Sequence, residues 1–359
     1  MAPFLYHRGV STPPDGLLPE WAPQSGVLMT WPHEATDWRD QLAEAEACFA
    51  LIAAELTRRT TVLVVCRDQA HAGGVRRAIA AAGGDPARVR TYLAPSNDTW
   101  ARDHGPLTVL RGGRPALLDF RFNGWGGKYP ADLDDLITRR LAAQGAFGAT
   151  PLESVDLVLE GGSVEGDGRG TVLTTRSCLL SPGRNPGLGL RDLEAALQRW
   201  LGARRVLWLE HGALEGDDTD GHVDTLARFC DAGTIAYQAS DDPRDSQHAG
   251  LAELARELAA LRRPDGRPYA LVPLPLPAAV LDADGRRLPA GYANFLITNG
   301  AVLVPGYNDA ADGGARAALA RCFPGREVVT VDCRPLIREY GSLHCVTMQL
   351  PAGVVPAEA

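Results

Sequence analysis

Lysine is nearly absent from this 359-residue chain, and no run of basic residues stands out. With a formal net charge of -8 and a pI near 5.5, little is left to neutralise a phosphate backbone or an anionic bilayer. Nucleic-acid and membrane-surface partners are therefore excluded, while an acidic field favours small cationic substrates. The start, Met1 to Gly9, lacks the apolar segment of a secretion signal, and no later apolar run approaches the roughly 18 residues of a membrane span. The cytoplasm is the expected compartment. Seven cysteines, an odd number without CxxC spacing, point to reduced thiols rather than a disulfide framework. The glycine-rich stretches at 124–127 and 166–170 match neither a Walker nor a dinucleotide fingerprint, and the histidines are dispersed without HExxH, so neither a nucleotide cofactor nor a recognisable zinc site is expected.

What is present is a soluble globular composition, 45% apolar and 22% charged, organised in a repeating order. Strand-type runs at 24–31, 60–66, 89–93, 107–110, 116–120, 157–160, 170–175, 206–209, 223–230, 234–237, 270–273 and 327–331 and a hairpin at 293–305 alternate with helical patterns at 40–58, 73–82, 131–144, 189–201, 246–261 and 311–322. Strand, strand, helix, strand at a period of several tens of residues predicts a repeated α/β array rather than two independent domains. The expected organisation is an arm over 1–20, one catalytic domain over 21–351 and a loose tail over 352–359.

Chemistry concentrates in four places. Glu215 to Asp224 holds four acids before a glycine and then His222-Val223-Asp224. Read as the opening of a strand, this puts His222 and Asp224 on one face, an imidazole beside a carboxylate for acid-base work. Loop 96–106 sets Asp103 near Trp100, and a carboxylate beside an indole face suits a planar delocalised cation, although a structural turn pinned by Trp100 is an equal reading. Glu160-Gly161-Gly162 ends a strand with an acid, which reads as a solvated hairpin turn or as an approach to a ligand. Cys345 follows a glycine-containing turn beside His344 and is the best-placed thiol for nucleophilic chemistry; Cys66 and Cys178 read as core.

In this order the blocks at 29–32, 97–106, 122–128, 160–162, 218–224 and 343–347 resemble those of the agmatine deiminase, or Porphyromonas-type peptidylarginine deiminase, family. The resemblance covers nearly the whole chain. It implies the pentein fold, a five-bladed α/β propeller of ββαβ modules with a central active-site channel, and a guanidine-modifying hydrolase without metal or organic cofactor. By the same resemblance Cys345 is the nucleophile, His222 the general acid and base, Asp103 and Asp224 the carboxylates that grip the guanidinium, and Trp100 an aromatic wall. Asp218 or Glu160 is expected to meet the far amine of agmatine. The chain departs from the family at 339–342, where a glycine triplet often stands and Glu339-Tyr340-Gly341-Ser342 is found instead.

The expected reaction is hydrolysis of agmatine to N-carbamoylputrescine and ammonia. The alternatives are deimination of free or peptidyl arginine, amidino transfer to an amine, and, from a different class, a non-catalytic binding protein. A homo-oligomer is compatible with all of these.

Overall fold

A computed structural model describes residues 15–357, whose strands form five small sheets of three or four strands. Every sheet repeats one order: an antiparallel pair, a helix, and a strand parallel to the second member of the pair. Leu107–Arg111 and Arg114–Arg121 are followed by helix Ile137–Ala143 and Leu152–Val158. Val164–Gly166 and Thr171–Thr175 are followed by helix Leu190–Leu201 and Arg205–Leu209. Ala227–Asp231 and Thr234–Gln238 lead through helix His248–Ala260 to Ala270–Leu274. Leu296–Thr298 and Ala301–Gly306 lead through helix Asp312–Cys322 to Glu327–Asp332. In the remaining sheet the last strand, Met348–Pro351, pairs antiparallel with Gln24–Thr30, which runs through helix Leu42–Thr57 to the parallel strand Thr61–Cys66. The two ends of the chain are thus stitched into one sheet, and the five ββαβ modules are those that the resemblance implies.

The local causes are visible in the sequence. Leu193, Leu197 and Leu201 recur at helical spacing and are all buried, each contributing roughly 1.5–3 kcal/mol. That helix stops at Gly202, whose φ of +66° a side chain would disfavour. Parallel strands need a crossover and lie between layers, which is why Thr61–Cys66 is apolar and buried at five of its six positions. The hairpin at 111–114 turns on Gly112 and Gly113, both at positive φ (58° and 71°).

Three expectations are corrected. The strand expected from Val223 begins at Ala227, because Val223–Thr225 forms a 3-10 turn after Asp220 and Gly221, both at positive φ. The Thr225 hydroxyl donates to the His222 carbonyl (2.8 Å) and so holds this turn against extension into the sheet. The arm over 1–20 lies outside the described residues up to position 14, but Gly16–Leu17 pairs with Leu107–Arg111 and Glu20 is buried. The tail is packed at its start: Val354 and Val355 join the apolar core, and the Val355 amide donates to Ser25 Oγ at 2.9 Å.

The repeat positions the site. Asp103, on the short helix Ala101–His104, precedes strand Leu107–Arg111, and Glu160-Gly161-Gly162 precedes Val164–Gly166. His222 and Asp224 precede Ala227–Asp231, Asn294 precedes Leu296–Thr298, and Cys345 precedes Met348–Pro351. Each module contributes the segment that leads into the first strand of its antiparallel pair.

Candidate active site

Asp103, Asp224 and His222 meet in one buried cluster at Gly162, and the buried Cys345, 242 positions after Asp103, lies where Asp224 and Asp103 both act on its thiol. A Cβ placed on Gly162 would stand 2.5 Å from His222 Nδ1, 2.9 Å from Asp103 Oδ1 and 3.1 Å from Asp224 Oδ2. Only a glycine lets these three side chains converge on the backbone there. The Gly162 amide also donates to Asp103 Oδ1 at 3.0 Å, and the indole N–H of Trp125 donates to Asp103 Oδ2, also at 3.0 Å. The carboxylate is therefore fixed at both oxygens. Burial raises its pKa to about 6, against the opposing pull of His222, whose Nδ1 is 3.7 Å away.

Asp224 is held differently. Its Oδ2 meets His344 Nδ1 at 2.7 Å, and Oδ1 is buried with no hydrogen-bond partner among the described residues. Burial would raise the Asp224 pKa, but His344, His222 and Arg228 together outweigh it and hold the group below its ordinary value. At His222 burial favours the neutral ring, yet Asp103 and the sulfur of Cys178 together raise the imidazole well above its ordinary range. Cys178 is buried as expected, but it lies against His222 and Glu160 rather than in purely apolar surroundings.

Cys345 sits in the turn before the last strand, with its amide and sulfur each 3.4 Å from Asn294 Oδ1. Burial, Asp224 and Asp103, in that order, push its thiol well above the ordinary value. The site thus sets a protonated thiol beside two carboxylates. A cation arriving between them would reverse the electrostatic part of that shift.

Cys345 and Asp103 line a cavity of about 90 Å³ whose wall includes Trp100, Trp125, Asp37, Asp98, Asp218, Glu339 and Tyr340. Among the described residues no lysine or arginine lines it. Trp100 lies against Gly341, where an added Cβ would come within 2.1 Å of its ring, and its indole donates not to Asp103 but to Asp98 Oδ2 (2.7 Å). Trp38 donates to the other oxygen of Asp98 at 2.9 Å. Burial and the nearby Asp37 nevertheless raise Asp98 to about 7, and burial raises Glu339 to about 6. Tyr340 adopts φ +64° in the loop where the family often has glycine.

The acids ahead of His222 divide by role. Asp217 accepts from the Thr219 hydroxyl (2.6 Å) and the Gly221 amide (2.7 Å), which shapes the loop. Asp220 pairs with Arg184 and Lys128, both at 2.6 Å. Of the three, Asp218 alone lines the cavity, where its Oδ2 accepts from the Tyr129 hydroxyl at 2.9 Å. Glu160, expected to be solvated at a turn or to meet the far end of a ligand, is fully buried and does not line the cavity. Both its oxygens accept from Arg184 Nε, at 2.9 and 3.0 Å. Glu160, Cys178 and His222 offer ligand atoms within 4.8 Å of one another, but a metal ion there would have to displace the Arg184 guanidinium from Glu160.

Sequence reasoning missed Trp125, Gly162, His344, Asn294, Arg184 and Glu20. Trp125 stands inside the glycine-rich block at 122–128 and Gly162 inside Glu160-Gly161-Gly162, so both carried a signal. Asn294 and Glu20 carried none, because their partners lie tens to hundreds of positions away.

The model of the Porphyromonas-type peptidyl-arginine deiminase family matches residues 16–351. The chain is 36% identical to an agmatine deiminase of Stutzerimonas stutzeri, over 94% of this chain and 95% of that protein. It is 34% identical to an agmatine deiminase of Medicago truncatula, over 93% and 95%. Among solved structures it is similar to a Porphyromonas gingivalis protein described provisionally as an arginine deiminase (51% identity, TM-score 0.89, 96% of this chain and 100% of that one). It is also similar to a cysteine-to-serine variant of the agmatine deiminase of C. jejuni with substrate bound (33%, TM-score 0.87, 98% and 99%).

Proposed function

Because the chain belongs to the Porphyromonas-type peptidyl-arginine deiminase family, we propose that it hydrolyses agmatine to N-carbamoylputrescine and ammonia. The observation that carries this reading is the cavity: a thiol and a carboxylate at one part, four further acids on the rest of the wall, and no lining cation among the described residues. A substrate with a guanidinium at one end and an ammonium at the other matches that charge pattern. Arginine would bring a carboxylate toward Asp37, Asp98, Asp218 and Glu339 without a partner for it.

These positions support one route. Asp103 and Asp224 accept the guanidinium N–H groups and hold its carbon against Cys345. Their negative charge, which together with burial holds the thiol protonated, is offset by the bound cation, so the thiol releases its proton to solvent as substrate enters. The thiolate adds to the guanidinium carbon, forming a C–S bond and a tetrahedral adduct. His222, held protonated by Asp103, gives its proton to one nitrogen; the C–N bond breaks and ammonia leaves. The remaining thiouronium carbon is attacked by a water whose proton His222 now accepts. The C–S bond breaks as the adduct's hydroxyl proton passes to the departing sulfur, returning the Cys345 thiol and releasing the neutral ureido product. Trp100 and Trp125 flank the planar cation.

The test is ammonia and ureide release from agmatine, free arginine and arginyl peptides, with Cys345→Ala as control. Turnover of agmatine in preference to the others is expected. Preference for arginine would overturn the substrate assignment, and full activity of Cys345→Ala would overturn the mechanism.

A further inference from the structure

Asp224 is not held by its own loop but through a chain of buried side chains that starts in the N-terminal segment. His344 Nδ1 lies 2.7 Å from Asp224 Oδ2, and His344 Nε2 lies 2.6 Å from Glu20 Oε2. All three side chains are at least 95% buried. Both ring nitrogens face carboxylate oxygens, the hydrogen-bond pattern of an imidazolium donating in two directions. Glu20 is fixed in turn: its Oε1 accepts from the Ile297 amide (2.6 Å) and its Oε2 from Arg228 Nη2 (2.7 Å). Arg228 is anchored on its other side by Glu165 at 3.0 Å. His344 itself is gripped at the backbone, where its amide donates to Asn294 Oδ1 at 2.9 Å, and it immediately precedes Cys345.

The consequence for Asp224 is directional. With Oδ2 taken by His344, its buried Oδ1 is left with no partner among the described residues. An unpaired buried carboxylate oxygen is costly unless a cation completes it, and a substrate N–H can do so. We propose that Glu20 and His344 are positioning residues for the deiminase reaction, a Glu20–His344–Asp224 chain that turns one Asp224 oxygen to the guanidinium and ties the N-terminal segment to the site. This rests on Asp224 gripping the guanidinium, as set out above.

The test compares Glu20→Gln, which keeps the shape and removes the charge, with Glu165→Gln, which weakens the Arg228 anchor without touching His344. Losing a hydrogen bond to a charged group corresponds to a roughly 10- to 100-fold effect. In Glu20→Gln the KM for agmatine is expected to rise by that factor, with a smaller fall in kcat and an unchanged rate of Cys345 alkylation by iodoacetamide. His344→Gln, a second variant in case the first does not fold, gives the same split. The double variant loses no more than the worse single one, because both act through Asp224. Unchanged KM in folded Glu20→Gln, or an equal loss in Glu165→Gln, overturns the proposal. Calorimetric binding of agmatine to Cys345→Ala, with and without Glu20→Gln, decides the point apart from turnover: equal affinity refutes the chain even where the assigned reaction fails.

Discussion

Replacing Gly162 with alanine tests the site at its narrowest point. The new methyl carbon would stand 2.5 Å from His222 Nδ1, where ordinary contact begins near 3.4 Å, so the imidazole must retreat by roughly 0.9 Å. Asp103 Oδ1 at 2.9 Å and Asp224 Oδ2 at 3.1 Å leave it no free direction on that side. A misplacement of about 1 Å in a catalytic group costs on the order of 100-fold in rate, so kcat/KM for agmatine should fall by about that factor. Gly162 does not have positive φ, so alanine suits its backbone and the variant should fold. Gly313→Ala, on an exposed helix face where the added carbon meets nothing within 4 Å, serves as the control and should keep full activity. The assay is steady-state ammonia release alongside thermal unfolding of both variants. If Gly162→Ala folds normally and keeps kcat/KM within a few-fold of the parent, the convergence of His222, Asp103 and Asp224 on this residue is not what sets the reaction geometry.

Further outcomes follow from the same contacts. Trp125→Phe removes the indole donor from Asp103 and should lower kcat/KM roughly 10- to 100-fold while the ring face is retained, measured with agmatine. Arg184→Leu leaves the buried Glu160 carboxylate without its partner and should cost about 3–5 kcal/mol in denaturant unfolding. Asp98, at about 7, and Glu339, at about 6, lose their charge as pH falls, so the KM for agmatine should rise from about pH 8 to about pH 5. Butylguanidine, which lacks the amine, should show the smaller rise; equal profiles would remove these acids from amine recognition. The same raised carboxyl groups bind protons in the folded state that the unfolded chain has already released. They therefore reduce stability as pH climbs from about 4 to about 7, and thermal melts with bound agmatine should show the loss relieved.

Much of the fold was legible because each ββαβ module writes its own periodicity. Leucines at helical spacing in 190–201 and the apolar run of 61–66 mark a helix and a buried strand wherever they stand. The strand expected at Val223 failed for a local reason that composition hides: two successive positive-φ residues and a threonine hydroxyl bonded to the backbone outweigh a β-type pattern. Glu20 failed for the opposite reason. Nothing near it in sequence differs from a polar arm, yet its partners are Arg228 and His344, more than 200 positions away. The reading of Glu160 also turned on a distant residue, since only the arrival of Arg184 decides whether that acid is solvated or sealed.

By itself, then, the sequence determined the module order and an acidic character suited to a cation, because these depend on residue type and short spacing, and through its resemblance to a family it gave the expectation that Cys345, His222, Asp103 and Asp224 react. The tertiary structure decided which acids face the cavity, which are consumed as anchors, and how Asp224 is aimed. Those outcomes depend on burial and on hydrogen-bond partners supplied by other modules, which local spacing does not encode.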